Sequence, residues 1–232
     1  MYMHGAILGA RPAMGSCGGG CIPVEQRGHN QAMDIHGTDL QAELAAVAAR
    51  LIVDEGQDAA SAKRQAAKVL GCGPRTPMPS AAVMDAAVRE HIAIFCADTQ
   101  PLELQALREL ALVWLERLAE FSPCVGGAVW HGTATRHSDI AIQLFCDDPK
   151  AAEWRLIDRG VDYQVGTVSG WKGEPVEALS LRVRCEALDQ WVLVHLMVYD
   201  RDDVRGALKP DGLGRKPRGD AQALRQLMAA GG

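Results

Sequence analysis

The sequence predicts an α+β fold, with helices in the N-terminal half and a mixed β-sheet with flanking helices in the C-terminal half. Up to residue 121, apolar residues recur at the three- and four-residue spacing of helices. Beyond Pro123, apolar and polar residues alternate in several short runs, as they do in strands. The chain has 232 residues and is 48% hydrophobic, which is enough to bury a substantial core.

Four helices are predicted in the N-terminal half. Ser80 is a good N-cap for the third, and Pro101 suits the first turn of the fourth, where its missing N–H costs little. Gly71 follows the second helix at a position where glycine commonly ends helices. The predicted helices extend from Leu40 to Gly56, from Asp58 to Leu70, from Ser80 to Phe95 and from Pro101 to Phe121.

The C-terminal half is predicted to contain four strands. They are residues 138–146, 161–168, 174–184 and 191–200, with helices over 149–159 and 221–228. In the first strand, Ile140 and Ile142 point to one side and Asp139 to the other. We expect this strand to neighbour residues 191–199 in one sheet, with Asp139 and His195 on the same face.

These elements divide the chain into four segments. Residues 1–38 contain eight glycines and two prolines without apolar periodicity, so we expect them to be flexible and dispensable for folding. Residues 39–121 form the helical region and residues 122–208 the α/β core. Residues 209–232 are predicted to be a basic Gly/Pro-rich tail with a short helix at the end.

Composition limits the function classes. A net charge of −5 gives no general attraction to nucleic acid, so such contacts would need a local basic patch. No apolar run is long enough to span a bilayer, and the first residues lack the pattern of a signal peptide. The seven cysteines do not look like a disulfide framework. We therefore expect a cytoplasmic protein without membrane contact.

The most informative segment is CVGGAVWHGTATRHSDIAIQLF, residues 124–145. It resembles the signature of the polymerase-β-type nucleotidyltransferase superfamily, in which a glycine-rich turn precedes a strand that carries an Asp-x-Asp pair. The segments ARLIVDEG and SAKRQAAKVLG further resemble small bacterial proteins that carry a nucleotidyltransferase-like label. Both resemblances imply a nucleotidyltransferase-like α/β core.

The superfamily resemblance also implies a site. Asp139 would be a catalytic residue and the metal ligand, whereas the second acidic position is occupied by Ala141, which cannot bind a metal. The third carboxylate would come from a later strand, where Glu177 and His195 are the candidates. The residues expected to contact phosphate or another part of a cofactor are Gly126, Gly127, Thr133 and Ser138. Mg²⁺ is the implied cofactor, although one carboxylate and a histidine are few ligands for a hard cation.

The implied function is a nucleotidyltransferase-like protein that binds a nucleotide or nucleic acid, with weak, altered or lost transferase activity. The alternative is a non-catalytic interaction scaffold that binds a protein partner through the helical half, and the loss at Ala141 favours it. Two further clusters have open interpretations. One is a zinc site against a plain glycine-rich segment, at Cys17, Cys21, His29 and His36. The other is a phosphate contact against a solubilising tail, at Arg215, Lys216 and Arg218.

Overall fold

A computed structural model describes residues 29–171, 173–210 and 214–231, with side chains from residue 39 onward. The chain forms two structural units, Met1–Gly37 and Thr38–Gly232. The prediction of a flexible segment therefore falls mostly outside the described residues. No helix in the described ranges is both long and apolar enough to cross a membrane.

The helical half contains the four predicted helices, which are α1 (His29–Glu55), α2 (Ala59–Val69), α3 (Ala81–Phe95) and α4 (Gln100–Arg117). The start of α1 differs from the prediction, because it begins at His29 rather than near Leu40. Extending an existing helix fixes one residue per hydrogen bond, so a helix can continue into polar sequence that lacks an apolar stripe. Periodicity alone could not detect that extension.

Capping side chains define two of the helix starts. Oδ1 of Asp58 accepts hydrogen bonds from the backbone N–H groups of Ala60 and Ser61, both at 3.0 Å. The Ser61 hydroxyl and these backbone groups hold the pKa of the Asp58 carboxyl below its ordinary value. Oγ of Ser80 accepts from the N–H of Val83 at 3.3 Å, as its N-cap prediction requires.

The C-terminal half forms a six-stranded mixed sheet in the order β3-β4-β5-β2-β1-β6. Its strands are β1 (Cys124–Gly126), β2 (Ile140–Cys146), β3 (Tyr163–Ser169), β4 (Pro175–Cys185), β5 (Gln190–Asp200) and β6 (Arg218–Gly219). All four predicted strands are present as β2 to β5. The expected pairing is confirmed, because β2 runs parallel to β5 with Ala141 opposite His195. The other neighbouring strands are antiparallel.

Two helices pack with α4 on one face of this sheet, and we call this side the helix-covered face. They are α6 (Ala151–Asp158) and α8 (Ala221–Ala229). The main hydrophobic core between the helices and the sheet includes Leu107, Leu115, Ile140, Ile142, Leu144, Leu156, Leu179, Leu196 and Leu224. Because α4 contributes to this core, part of the predicted helical region is packed directly on the predicted α/β core.

Two short strands and two short α-helices were not predicted from the sequence: β1, β6, α5 (Gly127–His131) and α7 (Val204–Ala207). Within residues 209–232, the predicted short helix is present as α8, and both β6 and α8 pack with the sheet and the core rather than forming a solvated tail. There, β6 pairs with β1 and Leu224 of α8 is fully buried. Two- and three-residue strands are too short to show alternation, so their sequence cannot reveal them.

Candidate functional site

The second face of the sheet, which we call the open face, is covered only in part by the described residues. A small apolar cluster lies at its lower end, where Phe145 and Tyr199 pack with Cys124 and with Ala207 of α7. The upper end of the face, where β2 begins, carries polar side chains instead. The candidate site is therefore on the open face, above this cluster.

Backbone register aligns five residues across the open face, and we call them the central row. Gly126 on β1 lies opposite both Arg218 on β6 and Ala141 on β2. His195 on β5 lies opposite both Ala141 and Ser180 on β4. Residues opposite each other on neighbouring strands point to the same side of a sheet, so all five share the open face. With strands about 4.8 Å apart, the row spans about 14 Å from Arg218 to His195.

His195 connects two other polar side chains of the open face. Its Nε2 lies 3.3 Å from Oδ2 of Asp139, and its Nδ1 lies 2.9 Å from Oγ of Ser180. A carboxylate only accepts, so Nε2 donates to Asp139 and Nδ1 of the neutral ring accepts from the Ser180 hydroxyl. The side chains of His195 and Asp139 are 28% and 50% exposed, so a ligand reaches both from solvent. The prediction that these two residues share one face is confirmed.

Glu177 does not join this group. It precedes Ala178 on β4, and Ala178 faces the open side opposite Met197, so Glu177 points to the helix-covered face. Its carboxylate accepts hydrogen bonds from Nζ of Lys150 at 3.1 and 3.3 Å. The structure thus separates Glu177 from Asp139, because strand alternation turns it to the opposite side of the sheet.

Gly126 and Gly127 form the junction between β1 and α5, directly beside β2. Gly127 has a φ of +64°, in the left-handed region that favours glycine. A Cβ added to Gly127 would lie 3.9 Å from Cβ of Ala141. A Cβ added to Gly126 would lie 3.4 Å from both amide atoms of Gln143. The glycine pair therefore brings the chain close to β2 at Ala141.

Thr133 and Ser138 lie in the loop between α5 and β2, outside the central row. Oγ of Ser138 accepts from the N–H of Thr135 at 3.0 Å, and the N–H of Ser138 donates to the Thr135 carbonyl at 2.8 Å. The N–H of Thr133 donates to the carbonyl of Ala128 at 3.0 Å. These bonds shape the loop that leads into Asp139, so the two residues position the site and their bonded groups are not open to a phosphate.

The donors on the open face do not suit a pair of Mg²⁺ ions held by the protein. Asp139 offers one carboxylate, Ala141 offers no ligand and Glu177 faces away. Across the described ranges, no group of three His, Cys, Asp or Glu side chains is placed to hold a metal ion. Mg²⁺ needs several oxygen ligands, which the two side chains of Asp139 and His195 do not supply. The suggested zinc ligands lie outside the described side chains: Cys17, Cys21, His29 and His36.

Two buried polar side chains on the open face were missed as site residues. Arg218 is 8% exposed and Gln143 is 7% exposed. Nε and Nη1 of Arg218 and Oε1 of Gln143 are buried and have no hydrogen-bond partner among the residues that the structure describes. Alternation along β2 does place Gln143 on the same side as Ala141, so that signal was available in the sequence. Arg218 belonged to a basic cluster whose interpretation was open between a phosphate contact and a solubilising tail, and nothing in a two-residue strand reveals its burial.

Trp171, in the turn between β3 and β4, covers the Arg218 side chain. The guanidinium carbon lies 5.2 Å from the centroid of the indole ring, within the range of a cation–π contact. The backbone N–H of Trp171 donates to the Tyr199 hydroxyl at 3.3 Å. A Cβ on Gly206 of α7 would lie 2.9 Å from the indole, so this glycine allows the ring its close approach. Burial lowers the pKa of Arg218 from its ordinary value.

Comparison with known proteins adds no relative to this description, since no protein-family model, no curated protein and no solved structure matches the chain. The open face offers four features for chemistry: an oriented imidazole, one exposed carboxylate, a close glycine turn and a buried guanidinium.

Proposed function

We propose that this protein binds a nucleotide, either free or as part of a nucleic acid, on the open face of its sheet, and that its nucleotide transfer is weak, altered or lost. One observation carries the proposal. The glycine turn lies against β2, with a Cβ on Gly127 only 3.9 Å from Ala141, on the same face as Asp139 and His195. The nucleotidyltransferase resemblance implies this arrangement, in which the glycine turn lies beside Asp139 and a residue of a later strand, here His195.

The exposed groups suit contacts to a nucleotide. Carboxylates accept hydrogen bonds from sugar hydroxyls and from base N–H groups, and Asp139 is half exposed. Ser180 and Asp139 fix the His195 ring at both nitrogens, which reduces the entropy lost when the ring contacts a ligand. Gly126 and Gly127 have no side chains to block the approach of a phosphate.

The same residues argue against efficient transfer. Nucleotide transfer requires activation of the attacking hydroxyl and neutralisation of the charge that develops on the phosphates. Near the glycine turn the face offers Asp139 as its carboxylate, and Ala141 stands at the other position of the implied acidic pair. Any Mg²⁺ that arrives with the nucleotide belongs to the ligand, and we assign it no protein-held site.

Isothermal titration calorimetry tests the proposal. The full-length chain is titrated with ATP, GTP, CTP and UTP, each with Mg²⁺ and with chelator. Asp139→Asn keeps the side-chain size and removes the charge, and Asp147→Asn is the matched control. Asp147 follows β2 as Asp139 precedes it, and it is 73% exposed in an ion pair with Arg201.

We expect at least one nucleotide to bind, and we expect Asp139→Asn to weaken its Kd at least tenfold while Asp147→Asn leaves it within twofold. A chain that binds none of the four nucleotides at millimolar concentration would refute the proposal. Equal affinities of the wild type and Asp139→Asn would also refute it, because binding would then occur elsewhere.

The interaction scaffold is a second candidate, favoured by an apolar groove of about 430 Å³ between α1 and α3. At its edge, Ile94 and Phe95 are 62% and 70% exposed, which is high for large apolar side chains. The same titrations separate the candidates, since a scaffold needs no affinity for nucleotides.

A further inference from the structure

Arg218 is a buried positive charge without a carboxylate partner among the described residues. Several exposed arginines of the C-terminal half do pair with carboxylates, as Arg155 does with Glu120. In the described part of the chain, the groups that act electrostatically on Arg218 are Tyr199 and Cys124, and neither is a carboxylate. Burying a guanidinium without a counter-charge is strongly unfavourable. The described residues therefore offer this charge the cation–π contact of Trp171 but no carboxylate.

The area beside Arg218 contains a second group with unused hydrogen-bonding capacity. Gln143 lies opposite Cys124, and Gly126, two residues along β1, lies opposite Arg218. The Gln143 amide lies beside Gly126, since both of its atoms would be 3.4 Å from a Cβ placed there. Two donor atoms of Arg218 and Oε1 of Gln143 are therefore buried on the same part of the open face, and none of them has a hydrogen-bond partner among the described residues.

Arg108 shows how this protein satisfies a buried arginine that has a structural role. It is 3% exposed, and its Nε donates to the carbonyl of Val129 in α5 at 3.2 Å. A carbonyl near the end of a helix is a natural partner for an arginine. Nε of Arg218 has no such acceptor in the described ranges. The two buried arginines therefore differ in whether a backbone carbonyl holds the guanidinium.

We propose that Arg218, with Gln143 beside it, binds a phosphate group of the nucleotide, which supplies the missing negative charge. The inference rests on the proposed nucleotide-binding function. The planar fork of a guanidinium matches two phosphate oxygens, which only accept hydrogen bonds. Oε1 of Gln143 accepts from a hydroxyl of the same ligand. The span of about 14 Å from Arg218 to His195 allows one nucleotide with several phosphates to contact both.

Trp171 determines how a phosphate reaches Arg218. Its indole covers the guanidinium and is 38% exposed. The phosphate replaces the indole as the group in contact with the guanidinium. It does not enter the main core, which lies on the other side of the sheet. A bound anion therefore changes the environment of Trp171 and alters the tryptophan fluorescence.

The test uses the full-length chain with two probes, inorganic pyrophosphate and ATP, in titration calorimetry and thermal melts. Arg218→Met removes the charge at similar volume, and Arg225→Met is the control, because Arg225 is exposed and paired with Glu116. We expect Arg218→Met to weaken both probes at least tenfold and Arg225→Met to leave them within twofold. Without ligand, Arg218→Met should melt at or above the wild-type temperature, since an uncompensated charge is gone.

Gln143→Glu keeps the proposal testable if Arg218→Met fails to fold. The new carboxylate supplies a counter-charge of nearly the same shape, so the variant should melt at a higher temperature than the wild type and lose pyrophosphate binding. Unchanged melting and unchanged pyrophosphate affinity in this variant would overturn the proposal, as would undiminished affinity in a folded Arg218→Met.

The two proposals fail in different ways. If nucleotides bind and depend on Asp139 but not on Arg218, the nucleotide site stands and the phosphate contact is wrong. If no nucleotide binds but pyrophosphate binds through Arg218, the nucleotide function is wrong, while the anion contact remains. If neither probe binds the wild type, both are wrong.

Discussion

A carboxylate introduced at position 141 should create a metal site on the open face. Ala141→Asp places a second carboxylate two residues from Asp139 on the same side of β2, and opposite His195. Gly127 leaves room for it, since even an added Cβ there would lie 3.9 Å from Cβ of Ala141. Two carboxylates and one imidazole are a reasonable ligand set for Mn²⁺.

The cost of the substitution without metal follows from the strand geometry. Two residues along a strand are separated by about 7 Å. Two negative charges at this distance repel by about 0.6 kcal/mol in water and about 2.4 kcal/mol at an effective dielectric constant of about 20. For a domain of this size, 1 kcal/mol corresponds to about 2–4 °C, so the variant should melt about 1–10 °C lower in chelator.

Thermal melts of Ala141→Asp and Ala141→Asn, in chelator and in millimolar Mn²⁺, check this prediction. The asparagine variant has the same size without the charge and therefore controls for steric effects. Mn²⁺ should restore the melting temperature of the aspartate variant and leave that of the asparagine variant unchanged, because a ligand that binds only the folded state stabilises it. Equal responses of the two variants to Mn²⁺ would refute the reasoning.

Two further predictions concern the fold. Gly219→Ala should destabilise the domain by about 1–3 kcal/mol in urea unfolding, because the new Cβ would overlap the Trp130 ring. Gly166→Ala is the control, and it should be neutral or slightly stabilising because a Cβ at Gly166 has nothing within 4 Å. Asp58→Ala should lower the free energy of unfolding by about 0.5–2 kcal/mol at pH 7. Since the pKa of Asp58 is lowered in the folded state, this difference should persist above the ordinary value of 3.8 and shrink as pH falls below it. A difference that grows toward acidic pH would contradict the capping bonds.

The sequence was most informative where an element is long and has one buried side. The helices α2 to α4 and the strands β2 to β5 were predicted within a few residues, because their apolar spacing repeats over several turns or pleats. The shared face of Asp139 and His195 was also predicted from the sequence. Side chains alternate along a strand, so the position of a residue fixes its face once the pairing of the strands is known.

The alternation of side chains along β4 also separates Glu177 from the open face, although Glu177 was an expected site residue. Ala178, the next residue, faces the open side, so Glu177 has to face the helices, where Lys150 pairs with it. Alternation within β4 already places Glu177 on the same side as Leu179 and Leu181, which belong to the main core. The sequence therefore contained the signal that excludes Glu177 from the open face.

By itself, the sequence determined the fold class, the long helices and strands, and the side of β2 on which Asp139 lies. Only the tertiary structure decided which distant residues share the open face. The short strand β6 brings Arg218 opposite Gly126, and Trp171 arrives from another turn to cover it. Burial and the lack of a counter-charge depend on all the elements that surround a side chain, and the spacing of residues along one strand cannot encode them.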